Sequence, residues 1–476
     1  MRKCRLWVAV VVLAMTTAAC SGGGLYGRGK HQANGPAINI TSDTPTPTPS
    51  ASGGTSTLVP SASPTASKHR GPAPTPVTSV PGIPKNYKPP TGYAIPNLFT
   101  AAENTIGITK TKITLCIHAA LSLSAVFGVD KGDLNVWWDY VNHELGGIYG
   151  RQINVVYADD NYGNTAGDVQ KAYKTCQKAN PFIMLGGIGF DQIPQMRVYA
   201  EQDHQLYIHH IASEDFSKRY SFSFFPSVES AGRIAGQWVA THHSGQNIGI
   251  VYRNSENWEP GHKTFKQALA AHHVTAVADI PVTKDQSVYS TQIRALQAKQ
   301  AQVVFLWENA LSAIEIIRQA KQQGFTPTWL VFPFNLETDK IGDAMVNPNP
   351  TEGIAMWPAY RPGDTSGSYS SYANEIRFFE RVHAEYGTGN TDDITWMTWL
   401  GWRQMWKLLL DCGPNCTRNK IVGLMQGNIE KPIIGDCGFD FKRNGHVGGF
   451  FANIFKAYMK QSKASWENVA TCKSGF

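Results

Sequence analysis

From about Lys112 onward, short apolar runs alternate with segments whose apolar residues recur every three or four positions. The runs "KITLCIHA", "INVVYA", "PFIMLGG" and "QLYIHH", then "NIGIVY", "VTAVADI", "AQVVFLW" and "TWLVFPF", have strand length and little polar interruption. Between them, segments 133–144, 166–178, 191–203, 230–243, 260–271, 289–299 and 310–323 carry helical spacing. Apolar strands separated by amphipathic helices predict parallel sheets covered on both faces and built from βαβ units. The strands fall into two sets of four, divided near Pro226, so the pattern predicts two doubly wound α/β lobes. A chain of 476 residues has room for both and for their cores. Further on, Trp396, Trp399, Trp402 and Trp406 follow helical spacing, which predicts core packing against a lobe and not a ligand platform.

The stretch "NHELGGIYGRQINVVYADDNYGN", 142–164, raises the question of a dinucleotide site: a glycine cluster, a β-rich run, then Asp159 and Asp160. A Rossmann fingerprint needs its glycines between the first strand and the first helix, where backbone approaches pyrophosphate. Here the first strand runs into "ALSLSAVFG", and the glycines follow the helix. There they end it in a left-handed cap and turn the chain back. The dinucleotide reading fails. Asp159 and Asp160 are expected to cap and solvate the end of a strand.

Residues 21 to about 105 break the pattern. "TSDTPTPTPSASGGTSTLVPSASPTAS" is mostly Pro, Thr and Ser and has too little apolar surface to offset chain entropy. It reads as a disordered tether, and at about 3.1 Å per extended residue such a segment reaches at most on the order of 250 Å. Before it, "MRKCRLWVAVVVLAMTTAAC" has a basic start, an apolar run from Leu6 to Met15 and small residues up to Cys20. That is the layout of a signal peptide, 1–19, too short to span a bilayer as a mature helix. Small residues before a cysteine resemble the bacterial lipobox, whose cysteine is diacylated after cleavage, although Thr17 stands where leucine is usual. The alternative is an ordinary leader cut near Ala19.

Loss of the leader removes Arg2, Lys3 and Arg5, so the formal charge of +7 falls to +4, too little and too scattered to argue for nucleic acid. Of the eight cysteines, six then remain: Cys116, Cys176, Cys412, Cys416, Cys437 and Cys472. In an oxidising compartment they are disulfide candidates with 15 pairings open. "CGPNC" is a turn able to close on itself. Cys116 on the first strand and Cys176 at the end of a helix crossing it form a second candidate pair.

The ordered set "GITKTKITLCIHAALSLSAVFG", "LNVWWDYVNHELGGIYGRQINVVYADDNY", "KAYKTCQKANPFIMLGGIGFDQIPQMRVYAEQDHQLYIHHIAS" and "AIEIIRQAKQQGFTPTWLVF" resembles the branched-chain amino-acid (leucine-binding, type I) class of periplasmic binding proteins, the solute receptors of ABC importers. "FDFKRNGH" looks like that family's late hairpin. The resemblance covers about 106–460. It implies an N-lobe of 106–226 plus 358–448, a C-lobe of 227–357 plus 449–476, three hinge crossings, and the tether at 20–105. Ligands of such sheets bind beyond the carboxyl ends of strands, and two facing edges make a clamp whose hinges absorb the motion.

Carried over residue by residue, the resemblance implies a ligand site of Ser122, Ser124 and Phe127 after the first strand, Gly189, Phe190 and Asp191 after the third, and Ile211, Ala212 and Ser213 after the fourth. Across the cleft it implies Trp258, then Trp307, Glu308 and Asn309, then Phe332, Pro333 and Phe334. Phe190 stands where amino-acid binders use a serine for the ligand carboxylate. Asn309 and Pro333 stand where they use a tyrosine and a glutamate around the ammonium. Losing charge-assisted bonds worth roughly 1.5–3 kcal/mol each argues against a simple α-amino acid.

The implied protein is a monomeric extracytoplasmic lipoprotein held to the cell membrane by lipid on Cys20, partnered by a small molecule and an ABC permease, with no cofactor. A receptor that senses solute without delivering it fits equally. A surface hydrolase fits less well, because the chain has no G-x-S-x-G elbow and no P-loop. His209–His210 end a strand near the cleft, His242–His243 and His272–His273 fall at helix ends, and none has a zinc spacing.

Overall fold

The structure is a computed structural model that describes residues 87–475 apart from 125–129, 164, 187–190, 211–212, 216, 285, 332–350, 356–359, 361–362, 390, 433–436 and 461–462. The described residues belong to one compact unit of the chain, Pro72–Phe476. The leader, Cys20 and the Pro/Thr/Ser tract lie outside them.

Strands β1 (Lys112–Ala119), β2 (Gln152–Asp159), β3 (Ile183–Gly186), β4 (Tyr207–His209) and β5 (Ser221–Pro226) lie parallel in a first sheet. The chain crosses at Ser227 into a second sheet. There β6 (Ile248–Arg253), β7 (Ala278–Val282), β8 (Val303–Trp307), β9 (Thr328–Val331) and β10 (Thr351–Ala355) are again parallel. It returns to the first sheet for β11 (Val447–Gly449) beside β5, then crosses a third time into the antiparallel hairpin β12 (Phe451–Lys460) and β13 (Lys463–Ser474). The orders are β11-β5-β4-β3-β1-β2 and β13-β12-β10-β9-β8-β6-β7. Two α/β lobes joined by three crossings result.

Connecting helices begin where short polar side chains cap them. Asp130 caps α1 (Lys131–His143), Thr165 and Asp168 form a capping box on α2 (Ala166–Ala179), and Pro194 opens α3 (Ile193–Gln202). Ser227 caps α4 (Val228–His242), and α5 (Glu259–Ala271), α6 (Ser290–Ala298) and α7 (Ala310–Gln322) complete the second lobe. Helices α8 (Ala373–Tyr386), α9 (Asp393–Cys412) and α10 (Arg418–Gln426) return to the first. The tryptophan stripe is core: all four rings of α9 are buried, and Trp137 of α1 meets Trp399 and Trp406 edge-on at 4.9 and 5.3 Å.

The glycine turn after α1 behaves as its spacing predicts. Gly146 and Gly147 take φ of 70° and 82°, and Gly147 donates its N–H to Val141 O at 2.8 Å. A Cβ on Gly147 would lie 2.1 Å from Arg151 O, so only glycine fits. The cysteines pair 116–176, 412–416 and 437–472.

Several expectations need correction. The sheets hold six and seven strands, not four each. β5, "SFSFFP", is buried at every position and so shows no alternation. β7 begins only at Ala278, as an edge strand tolerant of Pro281. "FDFKRNGH" is a 3-10 turn leading into β11, and the late hairpin is β12–β13. The tether boundary at 105 is also too late, because residues from Tyr87 already pack on the first lobe. The backbone N–H groups of Leu98 and Phe99 both donate to Asn419 Oδ1, at 3.0 and 2.9 Å, and Phe99 is buried against Tyr220. Anchors docked singly, without periodicity, leave no element signature in the sequence.

Candidate functional site

Parallel strands end together, so both sheets gather their connecting loops along one edge. In the first lobe that edge carries Ser122, Ser124, Asp160, Tyr162, Asp191, His210 and Ser213. In the second it carries Arg253, Asn257, Trp258, Lys284, Glu308 and Asn309.

The edges meet through named bonds. Asp191, just before α3, accepts from Arg253 Nη1 at 2.7 Å and from Trp258 Nε1 at 3.0 Å. Asn257 Nδ2 reaches the Asp191 carbonyl at 3.4 Å, and Lys284 Nζ donates to Gly163 O at 2.9 Å. Arg253 ends β6 and also forks onto Glu308, its Nε lying 3.0 and 3.1 Å from the two carboxylate oxygens and its Nη2 3.0 Å from Oε2. Burial pushes the Glu308 pKa up, against the pull of Arg253. Burial alone would lower that of Arg253, but Glu308 and Asp191 outweigh it and raise it.

Trp258, Glu308 and Asp191 are thus brought together, around an arginine that sequence reasoning missed. Its signal was slight: a charged residue closing the apolar run "NIGIVYR". Trp307 is corrected. Its ring is fully buried on Gly261 and its Nε1 donates to Trp258 O at 2.7 Å, so it belongs to the core beneath α5. Asn309 caps α7, its Oδ1 accepting from Ser312 N at 2.9 Å.

Ser122 is exposed and bonds within its own lobe, to Asp159 Oδ1 through N and Oγ and to Asn161 Oδ1 at 2.9 Å. Ser124 is half-buried at the end of a 3-10 turn, and the Ser213 carbonyl accepts from Arg197 Nη1 at 3.1 Å. Phe127, Gly189, Phe190, Ile211, Ala212, Phe332, Pro333 and Phe334 lie outside the described residues.

Asp160 is also corrected. It is fully buried rather than solvated, 2.6 Å from His118 Nδ1, and it accepts from Gln192 Nε2 and Tyr162 N. His118 Nε2 lies 2.7 Å from the Tyr207 hydroxyl. Beside this network, burial pushes His210 down to about 3 and holds His209 well below its ordinary value, so both rings are neutral at physiological pH. Among the described residues no cluster of His, Cys, Asp and Glu has the makings of a metal site. Among the described residues the edge offers neutral imidazoles, hydroxyls, an indole and a cluster of two carboxylates on one guanidinium, groups able to hold a guest.

A family model for periplasmic binding protein matches residues 134–449. Among solved structures, a fatty acid ABC transporter substrate-binding protein from Thermomonospora curvata is 16% identical over 78% of this chain and 95% of its own, with a TM-score of 0.62. A solute-binding protein of an ABC transporter from R. palustris, in complex with benzoate, is 14% identical over 76% and 98%, with a TM-score of 0.58. The branched-chain amino acid transporter substrate-binding protein LivJ from Streptococcus pneumoniae, in complex with isoleucine, is 14% identical over 76% and 100%, with a TM-score of 0.59. No curated protein matches the chain in sequence.

Proposed function

Because the chain belongs to the periplasmic binding protein family, we propose that it is an extracytoplasmic receptor that captures a small solute between its lobes and delivers it to an ABC importer. The observation carrying this is the meeting of the two strand edges at Asp191, which Arg253 and Trp258 grip from the opposite lobe. Three crossings are few enough to flex, and two edges that bond to one another when together form a clamp. Ser122, Ser124, Asp191, Ser213 and Trp258 stand on the loops that would face the guest. Phe190, Asn309 and Pro333, in place of the zwitterion-binding side chains of amino-acid receptors, support a solute other than a simple α-amino acid.

Anchoring through diacylated Cys20 completes the proposal. Among the described residues no helix is long and apolar enough to cross a membrane. The strap from Tyr87 docks beside the starts of the strands, where Arg418 holds the Pro181 and Phe182 carbonyls ahead of β3. A tether arriving there leaves the opposite edge, with the cleft, free for a permease.

Native mass spectrometry of the purified protein followed by a thermal-shift screen tests the capture. A solute at a hundredfold over its dissociation constant adds about 2.7 kcal/mol of stability. Tight leucine or valine binding would refute the ligand class, and conversion of a bound solute to product would replace the receptor by an enzyme. Mass spectrometry of the mature N-terminal peptide tests the anchor: a diacylglyceryl group on Cys20 is expected, and an unmodified terminus would remove it.

A further inference from the structure

The charge cluster between the lobes joins one guanidinium to two carboxylates. Arg253 is 1% exposed, and the carboxylates it joins, Glu308 behind it and Asp191 in front, have side-chain exposures of 0% and 9%. Asp191 uses both oxygens, one on Arg253 and one on the Trp258 indole. Glu308 accepts Arg253 Nε–H on its two oxygens, at 3.0 and 3.1 Å, and the Asn309 N–H at 2.7 Å. Two enclosed acids on facing walls are what an ammonium group on a solute would seek, since an unpaired buried charge is strongly unfavourable. Here the chain's own guanidinium is already between them.

We propose that Arg253 is a resident counter-ion, standing where a solute's cationic group would otherwise bridge the lobes, so that a guest need bring no cation to this corner. Its one positive charge answers two carboxylates, and closure draws on the Asp191–Arg253 pair with or without a guest. That a guest needs no cation here rests on the receptor reading above, while the counter-ion role does not.

The mature protein with spin labels on the two lobes reports their separation. Arg253→Ala, which strands both acids, and Asp191→Asn, which cuts only the interlobe half, are each expected to open the unliganded protein, shifting the closed-to-open ratio on the order of a hundredfold. Millimolar methylguanidinium is expected to reclose Arg253→Ala and leave the wild type unchanged. Asp191→Asn keeps the test alive if the alanine variant fails to fold. Opening followed by reclosure supports the inference. Variants that stay closed overturn it, as does a cationic or zwitterionic solute that binds the wild type tightly and is lost in Asp191→Asn. The rescue needs no solute, so a screen that finds no ligand would sink the receptor reading and leave the counter-ion standing.

Discussion

Replacing Glu229 with glutamine should stabilise this protein in mildly alkaline buffer and do little in acid. Glu229 lies in the first turn of α4, just past the crossing at Ser227, and accepts from the Glu214 backbone N–H at 3.0 Å. Burial, and next the neighbouring Glu214 carboxylate, raise its pKa from 4.5 to about 7, although backbone N–H groups and Arg233 oppose the rise. Glu214 is held in place by Ser227, Ser230 and Arg233 and cannot retreat. As pH climbs through 4.5 the unfolded chain releases this proton while the folded chain keeps it until about 7. The folded state binds more protons across that window, so its stability falls as pH rises. The full interval would correspond to roughly 3 kcal/mol, and a side chain partly in contact with water realises about 1–3 kcal/mol of it. Glutamine removes the ionisation and keeps an acceptor for the Glu214 N–H. Urea unfolding at pH 4.5, 6 and 8 should show the variant and wild type together at the lowest pH and separated by this amount at the highest. Parallel pH profiles, or a variant less stable at pH 8, would refute the assignment.

Three further outcomes follow from contacts elsewhere. Gly261→Ala places a Cβ 2.0 Å from the Trp307 ring and 2.8 Å from Val228 O; a gain of about 1 kcal/mol in helix propensity cannot offset that crowding, and urea unfolding should find a net loss of about 2 kcal/mol or more. Asn419→Ala strands the Leu98 and Phe99 N–H groups, costing about 1–3 kcal/mol for the buried one, and limited proteolysis should then trim the strap before the lobes. Opening Cys116–Cys176, which spans 60 residues, by a double alanine substitution should lower stability by about 4 kcal/mol on a chain-entropy basis, and an unchanged melting temperature would rule that out.

How much of this protein was legible beforehand depends on the range over which each feature is decided. Helices α1 to α7 follow from local periodicity and short polar caps such as Ser227 and Asn309, which act within one turn. The turn at Gly146–Gly147 and the alternation of strand and helix are equally local, and they suffice to exclude a dinucleotide fold and to predict two parallel-sheet lobes. The family resemblance draws on the same ordered pattern.

What only the tertiary structure decided are the pairings between distant side chains. Asp160 looks like a solvated strand end until His118 and Gln192 enclose it. Trp307 and Trp258 both follow or end apolar segments near the same edge, yet one ring turns under α5 and the other reaches Asp191. Arg253 carries no mark of its place, because being the meeting point of Asp191 and Glu308 depends on how two sheets face each other across three crossings. Periodicity reports which face of an element is apolar. It does not report which partner a charge will find once that face is buried, because that partner comes from an element far away in the chain.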